Sequence, residues 1–133
     1  RVNAEETEKV FVPTRRIIEG YVAPNAYQYL TDEDHRYLES LVDQMAFADE
    51  ENNFYQLTDL DIRFHSYIIE RAASPTICAL WNNIKTRIHY RLLFQGIVKD
   101  SLHIVANEHR EYLHCIREHD VEKIMLHLQS HIY

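Results

Sequence analysis

Turn-forming residues are scarce: the 133-residue chain holds two glycines and three prolines. That excludes a turn-rich all-β fold and favours long uninterrupted helices. Cysteine is nearly as rare. Cys78 and Cys115 form no spaced framework, which fits a reducing, cytoplasmic setting, and neither lies near a basic motif that would make it catalytic. No apolar run approaches membrane-spanning length, and no signal peptide is present. Positive charge is in deficit. The formal net charge is −7, and Lys and Arg are scattered rather than gathered in a stripe interleaved with aromatics. Such a surface is ill suited to nucleic acid, so any contact with DNA belongs to another part of the protein. The first residue is Arg1 rather than Met, and the chain reads as a fragment of a longer one.

What remains is ordinary in bulk: 46% hydrophobic residues, enough for one domain with its own core. Residues 1–9 are polar and acidic and read as a linker or frayed lead-in, leaving 10–133 as one helical domain. Pro13 suits a first helical turn, after which Ile17, Ile18, Tyr21 and Val22 give a stripe; Pro24 kinks or ends this helix. Thr31 with Asp32, Glu33 and Asp34 makes an N-cap and an acidic first turn, and Leu38, Leu41, Val42 and Met45 follow inward. Asn53 opens a helix running to about Ala73, with Gln56 placed for a capping box. Ser74-Pro75 opens the next, carrying Ile77, Leu80, Trp81, Ile84, Ile88 and Leu92, and Gly96 is its stop. Asp100 or Ser101 caps a helix with Leu102, Val105, Ala106, His109, Tyr112, Leu113 and Ile116 inward. After the tight His119-Asp120 connection, Val121, Ile124, Met125, Leu128, His131 and Ile132 line the last helix. The spacing predicts an all-α antiparallel bundle of about six to seven helices.

The stretch that organises the chain lies between Leu57 and Ala72. At helical spacing Leu57, Asp61, Phe64, His65, Ile68 and Ala72 share one face, apolar except for a carboxylate and an imidazole one turn apart. A charge within a buried stripe is costly unless it is paired or binds a cation. Asp and His at i, i+4 can reach one metal ion. Nine histidines are many for this length, and their faces discriminate among them. His103, His114 and His127 fall on polar faces, His119 in a turn, and His89 away from its helix's stripe; His35 is borderline. His65, His109 and His131 sit within apolar stripes of three different helices. Three imidazoles and a carboxylate suit a divalent transition ion: zinc, nickel, manganese or iron. Spacing alone leaves open whether these histidines are ligands or hydrogen-bonded core residues.

Three segments carry a resemblance. Arg15-Arg16-Ile17-Ile18-Glu19, Asp61-Ile62-Arg63-Phe64-His65, and Glu108-His109 through His119-Asp120 to His131-Ile132 resemble the motifs of the FCD (FadR C-terminal-type) ligand-sensing domain of GntR-family transcription regulators. The resemblance runs from about Val10 to the end. It implies Asp61, His65, His109 and His131 as ligands of a divalent metal, zinc or nickel first among the candidates. It also implies a cavity for a small organic-acid effector and a homodimer. DNA would be held through an N-terminal winged-helix domain not present in this chain. Ala72-Ala73-Ser74-Pro75 departs from the family's usual Ala-Gly-Asn turn, though Ser caps as well as Asn.

Four residues are candidates for holding the effector. Arg91 falls in the Ile84/Ile88 stripe with Arg87 on its flank, and an inward arginine can fork onto a carboxylate. Arg15 flanks the first stripe, where an intrahelical pair with Glu19 is the blander account. Tyr112 shares the His109 face. Two rival readings stand beside the regulatory one, which is not an enzyme. A helical metalloenzyme would use the same Asp/His3 site, but di-iron bundles pair Glu-x-x-His motifs, and here His114 of Glu111-Tyr112-Leu113-His114 faces outward. A metal-free dimerisation domain would leave the histidines as core residues.

Overall fold

The computed structural model describes residues 4–95 and 105–131, with the backbone alone at 94, 95 and 131. Among these residues there are helices and no strands. They are α1 (Ala4–Glu6), a π-helical turn (Thr7–Phe11), α2 (Val12–Val22), a 3-10 segment (Ala23–Gln28), α3 (Asp32–Glu50), α4 (Phe54–Ala72), α5 (Pro75–Gln95), α6 (Val105–Arg117) and α7 (Val121–His131). The arrangement is the all-α bundle that the spacing predicts. The Gly96 stop, the Asp100 or Ser101 cap, Leu102, His103 and Ile132 lie outside the described residues.

Local chemistry sets the helix starts. Thr31 Oγ1 accepts from the Asp34 backbone N–H at 3.1 Å, and Asp34 Oδ2 accepts from the Thr31 N–H at 2.9 Å, closing a capping box. Asn53 Oδ1 accepts from Gln56 N–H, Ser74 Oγ from Ile77 N–H, and Asp120 Oδ1 from Lys123 N–H. Asn52 and His119 take positive φ in the turns after α3 and α6. His119, a residue less at ease there than glycine, stacks its ring on Tyr27 with centroids 4.0 Å apart.

α4 is the central element. It packs against α3 and α5, while α6 lies on α3 and α7, and α2 closes the bundle against α4, α5 and α7. Leu38, Leu41, Val42, Met45, Leu57, Phe64, Trp81, Ile88, Ile116 and Ile124 fill the interior. Trp81 anchors the α4–α5 contact, donating its indole N–H to Ser66 Oγ at 2.9 Å.

Several sequence assignments need correction. Residues 4–9, read as a linker or frayed lead-in, are helical, and Thr7 is buried. Ile17 and Tyr21 point to solvent, at 72% and 69% exposure; the inward face of α2 is Val12, Arg15, Ile18, Glu19 and Val22. Two buried charges disguise that face. Leu80 is exposed because Trp81, Ile84, Ile88 and Leu92 set the buried stripe, leaving Leu80 on its flank. Val121, in the open first turn of α7, and Met125 are exposed too, whereas Ile124 and Leu128 point inward. His127, placed by pattern on a polar face, has a side chain only 12% exposed, since it stands one turn from Ile124 and packs beside the Tyr112 ring. His35, borderline by pattern, is buried.

Candidate metal and effector site

Three helices meet at the centre of the α4 stripe. α4 supplies Asp61 and His65 one turn apart, α6 supplies His109 and Tyr112, and α2 supplies Arg15 and Glu19; all six are buried. Asp61, His65 and His109 each offer a ligand atom within 4.8 Å of the others. His109 Nε2 lies 2.6 Å from Asp61 Oδ1, and His65 Nε2 lies 3.4 Å from the same oxygen. Phe64 presents its face or edge to both imidazoles, with ring centroids 5.4 Å from His65 and 5.0 Å from His109.

The far nitrogen of each ring is already engaged. His109 Nδ1 lies 2.8 Å from the Val105 carbonyl oxygen, and a carbonyl can only accept, so Nδ1 carries the proton. His65 Nδ1 meets Glu19 Oε1, likewise an acceptor. With both Nδ1 protons spent, two Nε2 lone pairs and a carboxylate oxygen converge on one point. With both imidazoles neutral the cluster would set lone pair against lone pair; a proton or a metal cation resolves the conflict. This donor set, two imidazole nitrogens and a carboxylate oxygen, fits a divalent transition ion.

Electrostatics follow the same contacts. Burial pushes the Asp61 carboxyl up, but its contacts with His109 and His65 outweigh it and hold the group well below the carboxylate range. Burial likewise opposes the charge on Glu19, yet His65 and Arg15 bring it down to about 2. His65 is lowered by burial and raised further by Glu19 and Asp61, to about 9. Burial pushes the Tyr112 hydroxyl well above its ordinary range, and Glu19 adds to this.

Arg15 is the effector candidate that joins the cluster. It is 1% exposed, gives its Nε–H to Glu19 Oε2 at 2.7 Å, and feels the charge of Asp61. The intrahelical pair with Glu19 is therefore present, but buried rather than at the surface. Its Nη1 is buried without a hydrogen-bond partner. Tyr112 stands beside His65, with ring centroids 5.8 Å apart. Arg91, its side chain mostly buried, is held through Nε to Glu8 Oε1 at 2.6 Å. Arg87 is exposed, its guanidinium 5.0 Å from the centroid of the Phe11 ring, so it does not enter the buried cluster. The side chain of His131 lies outside the described residues. Glu19 was missed as a site residue. Its signal was the Arg15-x-x-x-Glu19 spacing on a face shared with Ile18 and Val22.

Neither a curated protein nor a solved structure matches the chain. A family model described as FCD domain matches residues 11–133. With that match spanning nearly the whole sequence and the fold all-α, the chain belongs to the FCD domain family, the ligand-sensing regulatory domain of GntR-type regulators.

Proposed function

We propose that this domain senses a small organic acid, and that Asp61, His65, His109 and His131 hold a divalent transition ion, zinc or nickel first, beside which the acid binds. The observation that carries the reading is the convergence of two imidazole Nε2 atoms on Asp61 Oδ1 with both Nδ1 atoms already engaged. When bound, the ion supplies Lewis acidity and a positive charge toward a carboxylate. Charge argues for an anionic ligand. Two buried carboxylates, one guanidinium and a divalent cation leave a single positive charge, which an incoming carboxylate would offset. The unpartnered Nη1 of buried Arg15 is a donor suited to that carboxylate.

Because α2, α4 and α6 each contribute to the cluster, an occupant that prefers one arrangement of these helices shifts their relative positions. In a homodimer, that shift is what a DNA-binding domain attached to each copy would read. The cytoplasm is the setting such a regulator requires. Among the described residues no helix is long and apolar enough to cross a membrane.

The test is elemental analysis of the purified protein with a thermal melt before and after chelation, followed by a screen of small carboxylates. About one equivalent of transition metal, a melt lowered by chelation and acid binding without turnover are expected. A metal-free protein whose melt ignores chelator overturns the metal assignment and leaves a dimerisation module. Turnover of a bound acid overturns the sensing reading in favour of an enzyme that uses the same site.

A further inference from the structure

We propose that Glu19 is a positioning residue for the metal site, acting through His65 and itself held by Arg15. The inference rests on the metal reading above and goes beyond the four residues assigned to the ion. His65 has two ring nitrogens, and only one can turn toward Asp61 and His109. Which one is decided by what the other meets. Glu19 Oε1 lies against His65 Nδ1, an acceptor that fixes the proton there and leaves Nε2 as the lone-pair donor on the Asp61 side. A carboxylate in this place also makes the imidazole a stronger donor toward a cation.

Glu19 in turn is not free to swing. Its other oxygen accepts from Arg15 Nε at 2.7 Å, and both side chains are almost completely enclosed. Two features argue against a purely structural pair. A buried ion pair is an uncertain source of stability, since desolvation cancels much of the attraction. And the Glu19 oxygen that Arg15 Nε does not use is spent on a metal-site imidazole on a different helix, 46 residues away in sequence. The chain Arg15–Glu19–His65 thus links α2 to the centre of α4.

The experiment is a zinc titration of the metal-free chain against a competing chelator. It compares the wild type, Glu19→Gln and the double variant Arg15→Met/Glu19→Leu, with the ring nitrogens of His65 followed by NMR. Glu19→Gln keeps an acceptor at Nδ1 and is expected to bind zinc within about tenfold of the wild type. The double variant removes charge and acceptor together while filling the space, and is expected to bind roughly 10–100-fold more weakly. In zinc-loaded wild type the His65 Nδ1 proton should be a slowly exchanging, downfield signal, shifted in Glu19→Gln and lost in the double variant.

If both variants melt lower yet bind zinc with wild-type affinity and an unaltered His65 signal, the pair is structural and the proposal is overturned. If the double variant does not fold, the His65 signal of Glu19→Gln decides alone: an unshifted proton overturns the proposal. A wild type that takes no zinc overturns the metal reading instead, and the two failures are thereby told apart.

Discussion

The Tyr67 hydroxyl donates to Asp34 Oδ1 at 2.6 Å, tying the middle of α4 to the first turn of α3. The same carboxylate accepts the Thr31 N–H in the capping box, so one side chain serves both a helix start and a helix–helix contact. Arg71 reinforces the join, its guanidinium 5.1 Å from the centroid of the Tyr67 ring.

Acid should therefore weaken the fold through Asp34. The hydrogen bonds from Tyr67 and Thr31 hold its carboxyl below the ordinary 3.8. A lowered folded-state value means that the stabilisation is fully present above pH 3.8 and is lost as pH falls through the lower value. Tyr67→Phe should cost about 1.5–3 kcal/mol at pH 7, the worth of a hydrogen bond to a charged group, and flatten the acid limb. Urea unfolding at pH 7 and pH 3 checks both; an unchanged midpoint at pH 7 would sink the idea.

His35 should act at milder pH. Burial is the main reason that its imidazole sits below the ordinary 6.5, with Arg117 adding to it. The folded state thus binds its proton less readily, and stability present above pH 6.5 declines as pH drops below it. His35 Nδ1 is also buried without a partner. His35→Leu should remove this decline, so its advantage over wild type should grow between pH 7 and pH 5.5. An advantage that stays constant over that interval counts against the assignment.

Trp81 is the chain's single tryptophan, so its emission reports the α4–α5 contact directly. Ser66→Ala leaves the buried indole N–H unpaired and should cost about 1–3 kcal/mol. Trp81→Ala, which empties a fully buried site, should cost about 3–5 kcal/mol. Equal losses in the two variants, by circular dichroism in urea, would mean that the hydrogen bond and not the packing dominates.

Adding metal to the purified chain should raise its melting point in proportion to the logarithm of free ion. At 100 times the dissociation constant the gain is about 2.7 kcal/mol. His131→Ala should keep the helical spectrum, bind metal more weakly and blunt this gain, as the fourth proposed ligand. An undiminished gain in His131→Ala removes that residue from the site.

The sequence carried much of this architecture in its caps. Thr31, Asn53, Ser74 and Asp120 each hold a helix start because their side-chain oxygens accept from an N–H in the first turn, a local interaction that spacing reveals. The α4 face that carries the site was legible too, since Leu57, Phe64 and Ile68 bracket Asp61 and His65, but Leu60, Ile62 and Ile69 are also buried, which the stripe did not include. α2 was not legible. Its apolar residues lie on both sides of the helix, and the inward side is marked by Arg15 and Glu19, charges whose partner His65 is remote in sequence. Periodicity ranks a buried ion pair as surface. Arg87 and Arg91 were legible only as residues beside the α5 stripe: that one meets Phe11 and the other Glu8 depends on where the π-helical turn Thr7–Phe11 lies, a tertiary fact.

The separation of the site's contacts has a kinetic consequence. Glu19 and His65 stand 46 residues apart, Asp61 and His109 48 residues apart, so the cluster is complete only when α2, α4 and α6 have all docked. Contacts that span such long loops are slow to form and add little to an early folding nucleus. A ligand gripping all of them therefore has nothing to hold until the chain is nearly native. It acts as a brake on unfolding rather than a spur to folding, and lengthens the lifetime of the domain more than it hastens its birth.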